Sequence, residues 1–225
     1  MDQYEFTEAD TARFAEEIKN GMVPLSDPCL MERAKPVSRT QITTPEIKNI
    51  IDTMFRIAQG QRRGSITKRR RRTLVGLAAP QIGTPLRIVL VDTKVTEDRK
   101  KYSKLECFIN PVIVWRSRET GEGREGCFST GPVWGLVRRP LAVKIRALDI
   151  HGNEVERIFE NFTARITQHE IDHLEGVRFP ERIASDRKRH WVHTEELADY
   201  PERIKSWPRT CSLERWQALI SETEV

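Results

Sequence analysis

The sequence predicts an α+β fold in which short, mainly antiparallel strands surround one buried helix. Residues 45–58 carry apolar side chains at helical spacing. Short apolar runs such as 87–92 and 141–149 lie between turn signals, as strands do. A second helix, over 161–175, has apolar residues on both of its sides, which is typical of a helix inside a core.

The helix over residues 45–58 has clear boundary signals. Thr44 is suited to the N-cap and Pro45 to the first helical position, where a missing N–H costs nothing. Gly60 is expected to end the helix. The apolar positions between them are Ile47, Ile50, Ile51, Met54, Phe55 and Ala58.

The strands are expected in the middle of the chain. They are 87–92, 108–115, 141–149 and 154–159. Pro111 interrupts the second run, which is therefore one strand or a pair. The turn at 151–153 connects the last two runs and favours an antiparallel meander.

The chain of 225 residues is long enough for one sizeable core with additions at both ends. We expect an N-terminal helical extension over 1–24 and a central domain over 25–184. The polar stretch 61–72 reads as a basic insertion in that domain. A charged C-terminal helical extension is expected over 185–225.

Composition narrows the functional classes. There are 38 Lys+Arg against 33 Asp+Glu, and much of the excess lies in the run 68–72. Such a run is either a solvated loop or a surface for RNA phosphates. The acidic N-terminus has no apolar signal segment, no run reaches membrane-spanning length, and the four cysteines are scattered. These features favour a cytoplasmic protein.

The stretch QHEIDHLEG, residues 168–176, carries the strongest chemical signal. His169 and His173 share one helical face, and Glu170 lies beside them. The spacing His-Glu-x-x-His allows two imidazoles to bind one metal while the carboxylate reaches its water. The same sequence pattern also occurs by chance on solvent-exposed helices that bind no metal. A hydrolytic site further requires a third ligand.

The residues alone leave two sources for that ligand. Glu195 and Glu196 lie downstream, at the usual distance for zinc proteases, but in a polar stretch. Cys127 lies upstream in the glycine-flanked EGCFS, and a thiolate binds borderline metals well. A lone cysteine is nonetheless more often a small buried hydrophobe.

A third stretch, LVGLAAPQIG, points to the upstream source. Together with EGCFS and QHEIDHLEG it resembles the three motifs of the peptide deformylases: G-L-A-A-x-Q, E-G-C-x-S and Q-H-E-x-D-H-L-x-G. The resemblance extends over about residues 25–183. It implies the fold of that family and removal of the N-formyl group from the formylmethionine of newly made polypeptides, with release of formate.

The resemblance also implies a role for each matching residue. The metal ligands would be Cys127, His169 and His173. Glu170 would handle the proton, and the oxyanion would be met by the amide of Gln81 and the backbone N–H of Phe128. Substrate contacts would come from Val75, Gly76, Gly126, Phe162, Arg165 and Ile166. Glu125 and Arg139 are either a pair that braces the loop around Cys127 or ordinary surface charges, and Gln168 and Asp172 would orient the ligands.

The implied cofactor is one divalent ion. Fe²⁺ is the expected native ion, and Zn²⁺, Ni²⁺ or Co²⁺ also suit the ligands. The implied partners are N-formylated nascent peptides, with ribosome contact through 62–72 or the C-terminal extension and no membrane. Alternatives are another N-acyl substrate, a general His-Glu-x-x-His peptidase, or a non-catalytic RNA- or ribosome-binding module. Leu74, where the family has glycine, and Trp134, where arginine is common, depart from the pattern.

Overall fold

The computed structural model describes residues 4–60, 74–96 and 104–222. Its helices are α1 (Glu8–Lys19), α2 (Arg39–Ile42), α3 (Pro45–Ala58), α4 (Asn161–Leu174), α5 (Tyr200–Arg203) and α6 (Leu213–Glu222). Its strands are β1 (Gly76–Ala78), β2 (Ile88–Asp92), β3 (Leu105–Arg116), β4 (Thr120–Gly126), β5 (Val133–Pro140), β6 (Ala142–Leu148), β7 (Glu154–Glu160) and β8 (Arg189–Trp191). The fold is α+β, as predicted, and the predicted insertion 61–72 lies outside the described residues.

A five-stranded antiparallel sheet has the order β1-β2-β3-β6-β7. The four runs expected from the sequence correspond to β2, β3, β6 and β7. Pro111 does not divide β3 into two strands, but the pairing with β6 shifts register between Ile109 and Val112. Asn110 has a φ of 52° there, so the irregularity is absorbed locally without ending the strand.

A second sheet has the order β4-β5-β8 and was not predicted. Strand β4, TGEGREG, contains three glycines and two glutamates, a composition that disfavours strands. Its long antiparallel pairing with β5 makes the strand nevertheless. Strand β8 comes from the predicted C-terminal helical extension, which therefore contributes a strand as well as helices.

Helix α3 confirms the boundary signals. Thr44 is the N-cap, its hydroxyl accepts from the backbone N–H of Ile47, and Pro45 is the first helical residue. Gly60, with a φ of 71°, follows the end of the helix. The buried side of α3 packs in one apolar cluster with β1, β2 and the start of β3.

Helix α4 is buried on nearly all sides, as the sequence indicated. One side packs with Ala164, Ile171 and Leu174 into the core beneath the five-stranded sheet. The helix ends before Gly176, whose φ is 69° and whose Cβ, if present, would lie 2.4 Å from the Met31 carbonyl oxygen. Glycine is therefore required at position 176 both for the left-handed backbone of the turn and for the close approach of the Met31 backbone.

The two ends of the chain meet each other. Helix α1 begins at a capping box formed by Thr7 and Asp10. Asp10 is 1% exposed and also accepts from His193 and from the Thr194 backbone and hydroxyl. The division of the chain at residues 24 and 184 stays a prediction. Within the described residues, no helix is long and apolar enough to cross a membrane.

Candidate metal centre and active site

Cys127, His169 and His173 converge on one point. One ligand atom from each lies within 4.8 Å of the others, and Cys127 Sγ is 3.5 Å from His173 Nε2. Both histidines come from one face of α4, whereas Cys127 follows the last residue of β4. In the part of the chain that the structure describes, these three residues are the one group of His, Cys, Asp or Glu side chains that could hold a metal ion.

The downstream carboxylates lie elsewhere. Glu195 accepts from the Thr7 hydroxyl at 3.1 Å, and Glu196 pairs with Arg209. Glu195 therefore belongs to the contact between the two chain ends, and Glu196 to an ion pair within the C-terminal segment. The third candidate ligand is accordingly the upstream thiol and not a downstream carboxylate.

Glu125 is the buried carboxylate that holds His169. Its Oε2 lies 2.9 Å from His169 Nδ1, and Arg139 donates to both carboxylate oxygens, at 2.6 and 2.9 Å. Burial alone would raise the pKa of the Glu125 carboxyl, but the hydrogen bonds and charge of Arg139, followed by those of His169, hold that pKa well below its usual value. The expected pairing of Glu125 with Arg139 is thus present, and His169 turns Nε2 toward the ligand group.

The other expected orienting residues are also in contact with their surroundings. Asp172 accepts from Arg139 at 2.8 Å and from Arg182 at 2.7 Å, which extends the buried ionic network along α4. Gln168 donates its amide to the carbonyls of Pro140 and Ala164, both at 3.0 Å. The bond to Pro140 connects the helix to the end of β5, whereas the bond to Ala164 lies within the helix.

Glu170 differs sharply from Glu125. Its side chain is buried, and its Oε2 has no hydrogen-bond partner. Burial, the largest cause, raises the pKa of the Glu170 carboxyl to about 7, although the charge on His169 opposes the shift. A Cβ on Gly76 would lie 2.3 Å from Glu170 Oε1, so only glycine at that position admits the carboxylate.

The two histidine rings are also in unequal surroundings. Although burial opposes it, contact with Cys127 and Glu125 raises the pKa of His169. Burial, aided by the charges of His169 and Arg178, lowers the pKa of His173, whose buried Nδ1 has no partner. The imidazole of His173 is neutral and lies beside the Cys127 thiol, so both can bind a divalent ion. The unpartnered Glu170 Oε2 could then accept a hydrogen bond from a water bound to that ion. The residues therefore fit a divalent metal site.

Gln81 lies in a short 3₁₀ turn, Ala79–Ile82, directly after β1. Its side-chain oxygen Oε1 accepts from the Ala78 N–H at 2.9 Å, which orients the amide group. Gln81 Nε2 then points to Cys127 Sγ at 3.3 Å and to Ser129 Oγ at 3.2 Å. The side chain is a buried donor aimed at the ligand group.

Aromatic rings pack against the segment that carries Cys127, residues 126–128. The Phe128 ring lies 5.4 Å from the Phe14 ring, centroid to centroid, which brings α1 against the loop. A Cβ on Gly126 would lie 2.2 Å from the indole of Trp134. The tryptophan, which stands where the family commonly has arginine, therefore fits only because residue 126 is glycine. Leu74 packs on the apolar cluster of α3.

The residues expected to receive the methionine side chain are only partly open. Ile166 is buried in the main core cluster, and the partly buried Phe162 and Val75 pack against that cluster. Arg165 is 9% exposed, and its guanidinium donates to Glu125 and to backbone carbonyls of β4 and β5. A contact of these side chains with substrate stays a prediction.

Comparisons with known proteins agree with this geometry. The family model for polypeptide deformylases matches residues 20–189. The chain belongs to the polypeptide deformylase family. It is 36% identical to the peptide deformylase of Pseudothermotoga lettingae over 187 residues, which cover 80% of this chain and 95% of the relative. Against the enzyme of Desulforudis audaxviator, identity is 37% over 75% of this chain and 96% of the relative.

Solved structures show the same fold. The class I type b peptide deformylase of Acinetobacter baumannii bound to Met-Ala-Ser has a TM-score of 0.63 at 30% identity, covering 72% of this chain and 96% of that chain. Peptide deformylase 1B of Arabidopsis thaliana, solved with an inhibitor, has a TM-score of 0.60 at 28% identity, covering 82% and 88%. The chain is therefore a metal-dependent deformylase that removes the N-formyl group from newly made polypeptides.

Sequence reasoning missed two arginine contacts of this deformylase. Arg178 donates to the carbonyls of Leu25 and Ser129 and lies over the Trp216 ring at 4.9 Å. Arg165 was assigned to a pocket wall, without its bond to Glu125. Neither contact has a signal in the sequence, because each partner is distant along the chain.

Proposed function

We propose that Cys127, His169 and His173 hold one divalent ion, Fe²⁺ in the native enzyme, and that deformylation takes place beside it. The support is the donor set: one thiolate and two imidazoles suit Fe²⁺, Zn²⁺, Co²⁺ and Ni²⁺ and leave a fourth position for solvent. When bound, such an ion acidifies a water and polarises the formyl carbonyl.

Glu170 is the proposed proton carrier. It is buried next to the ligands, its Oε2 is unpartnered, and its pKa of about 7 allows both protonation states near neutral pH. Glu170 takes a proton from the attacking water and delivers it to the departing amine of the peptide. Its unpartnered oxygen is the single observation that carries this role.

Gln81 and Phe128 are proposed to stabilise the oxyanion. The amide of Gln81 is oriented by Ala78 and aimed at the ligand group, so it can donate to a formyl oxygen placed there by exchanging its bond to Cys127 or Ser129. The backbone N–H of Phe128 follows Cys127 directly and takes no part in the described backbone hydrogen bonds. These two N–H donors would stabilise the negative charge that develops on the formyl oxygen.

The substrate is proposed to bind as an extended strand between the two sheets. Strand β1 is one edge of the five-stranded sheet, and β4 is one edge of the three-stranded sheet. Val75 precedes β1, Gly76 begins it and Gly126 ends β4, and the backbone groups of these residues are proposed to pair with a peptide. The side chain of formylmethionine would pack against Phe162 and Ile166.

The proposed partners are N-formylated nascent peptides, and the proposed location is the cytoplasm. The four cysteines, all free, fit a reducing compartment. Contact with the ribosome is proposed through 62–72 or through 185–225, because the first of these carries a basic run. Neutralising residues 68–72 with serine is expected to weaken co-sedimentation with ribosomes, and unchanged co-sedimentation would exclude the basic run.

The test is formate release from formyl-Met-Ala-Ser by protein prepared anaerobically with Fe²⁺. Cys127→Ala and Glu170→Ala are the comparison variants. Turnover that disappears in both supports the ligand and proton-carrier assignments together. A bound metal without turnover would indicate a different N-acyl substrate, and absence of metal binding would indicate the RNA- or ribosome-binding alternative.

A further inference from the structure

Arg165 joins the metal-binding helix to the β4–β5 hairpin. It lies on α4, one turn before His169. Its Nη1 donates to Glu125 Oε1 at 2.8 Å, to the Val137 carbonyl at 2.8 Å and to the Gly123 carbonyl at 3.3 Å. Its Nη2 donates to the Gly121 carbonyl at 2.9 Å. A guanidinium with these bonds is held by the hairpin and has little freedom to follow a substrate side chain.

Gly123 makes room for that guanidinium. A Cβ on this residue would lie 2.6 Å from both Cζ and Nε of Arg165. Gly123 is not among the glycines with positive φ, so its backbone conformation would accept another residue. Space for Arg165, and not backbone freedom, is therefore what requires glycine here.

The bond from Arg165 to Glu125 completes the coordination of one carboxylate. Oε1 accepts from Arg165 at 2.8 Å and from Arg139 at 2.6 Å. Oε2 accepts from Arg139 at 2.9 Å and faces His169 Nδ1 at 2.9 Å. Each oxygen thus has two donors, and the carboxylate plane that sets the His169 ring is fixed from both sides.

Removing one of these donors would loosen the carboxylate. Without Arg165, Glu125 keeps both of its bonds from Arg139, but its buried Oε1 loses one of its two charge-assisted bonds. The His169 ring would then sample orientations in which Nε2 points away from Cys127 and His173. Ligand orientation of this kind typically changes metal affinity by about 10- to 100-fold.

We infer that Arg165, seated on Gly123, is a positioning residue for His169 that acts through Glu125, and not a contact for the first side chain of the substrate. The inference rests on the proposed metal site, since it assigns His169 as a ligand. Arg165 would then orient a metal ligand, and would not form part of the wall of the methionine pocket.

The experiment compares Arg165→Met and Arg165→Lys with the unchanged protein. The Co²⁺ dissociation constant is measured by chelator competition, and the visible absorption of the Co²⁺-loaded protein reports ligand geometry. Arg165→Met is expected to bind Co²⁺ roughly 10- to 100-fold more weakly with an altered spectrum. Arg165→Lys, which keeps the charge but loses the fork, is expected to recover part of the affinity.

Substrate selectivity separates the two roles of Arg165. The ratio of kcat/KM for formyl-Met-Ala-Ser to that for formyl-Leu-Ala-Ser is expected to stay unchanged in metal-saturated Arg165→Met. A changed ratio with unchanged Co²⁺ affinity would overturn the inference and make Arg165 a pocket residue. Arg146→Met is the control, because Arg146 is exposed on β6 and pairs with Glu156.

Gly123→Ala is the second variant, for the case in which Arg165→Met does not fold. It keeps every charge and displaces the guanidinium, so it should weaken Co²⁺ binding in the same direction. Normal affinity in Gly123→Ala, with normal spectrum, would also overturn the inference. Because Co²⁺ affinity is measured without turnover, a failure of the proposed deformylation chemistry would leave these results readable.

Discussion

The metal centre and the contact between the two chain ends are each organised around one buried carboxylate. At the metal centre, Glu125 accepts from two arginines and His169. At the chain ends, Asp10 accepts from His193 and from the backbone and side chain of Thr194, all at 2.7 Å. Both carboxylates are nearly inaccessible, at 5% and 1% exposure.

The difference lies in the donors. Glu125 is balanced by guanidinium charges, which keep it anionic and oriented where it sets a ligand ring. Asp10 is bound mostly by polar donors, and its bonds join segments more than 180 residues apart. Glu170, in the first region, has an oxygen without any donor. A fully bonded carboxylate supports structure, whereas an unsatisfied one is available for chemistry.

The largest effect is expected for Glu170→Gln. The substitution removes the proton carrier, so kcat for formyl-Met-Ala-Ser should fall by about 10²- to 10⁴-fold. The melting temperature should be unchanged or slightly higher, because burial disfavours the charged carboxylate. Activity near the unchanged level, with the metal retained, would exclude Glu170 from proton transfer.

Gly76→Ala tests whether Glu170 depends on the space beside it. The added Cβ would lie 2.3 Å from Glu170 Oε1, so the carboxylate must move. A displacement of about 1 Å at a reacting group costs on the order of 10²-fold in rate. We expect kcat to fall toward that value with the metal content unchanged, and normal kcat would show that Glu170 tolerates the shift.

Asp10→Asn should act on stability and not on chemistry. Loss of the charge-assisted bonds to His193 and Thr194 is expected to lower the free energy of unfolding by about 1–3 kcal/mol at pH 7, measured by urea denaturation. Glu8→Gln, in the same helical turn but exposed, is the matched control. Metal-loaded kcat should change little in either variant.

The Asp10 contribution should also depend on pH. Burial opposes ionisation, but the bonds from His193 and Thr194 prevail and lower the pKa of Asp10 below 3.8. A lowered folded-state pKa stabilises the fold above pH 4, and this stabilisation is lost as pH falls through the folded-state value. The stability difference between the protein and Asp10→Asn should therefore shrink below pH 4; a constant difference would contradict the assignment.

The smallest effect is expected for Glu195→Ala. Its carboxylate accepts one exposed hydrogen bond from Thr7, so the loss should be within about 0.5 kcal/mol. Metal stoichiometry, measured by elemental analysis, should stay unchanged. Loss of metal in this variant would favour the general His-Glu-x-x-His peptidase, which takes its third ligand downstream.

Local signals in the sequence determined α3 and α4. Periodicity and end signals such as Thr44, Pro45 and Gly176 are encoded within a few residues, so they can be read directly. The ligand set followed from resemblance, since three short motifs occur together. The apolar residues around the His-Glu-x-x-His stretch also indicate that this helix is buried.

Only the tertiary structure decided the rest. The glycine-rich β4 becomes a strand because β5 pairs with it along its length, which its own composition does not favour. The contacts of Asp10 with His193 and of Arg165 with Glu125 connect residues far apart in the chain, where no periodicity relates the partners. The need for glycine at 76 and 123 is likewise a matter of which side chain lies opposite, and packing alone determines that.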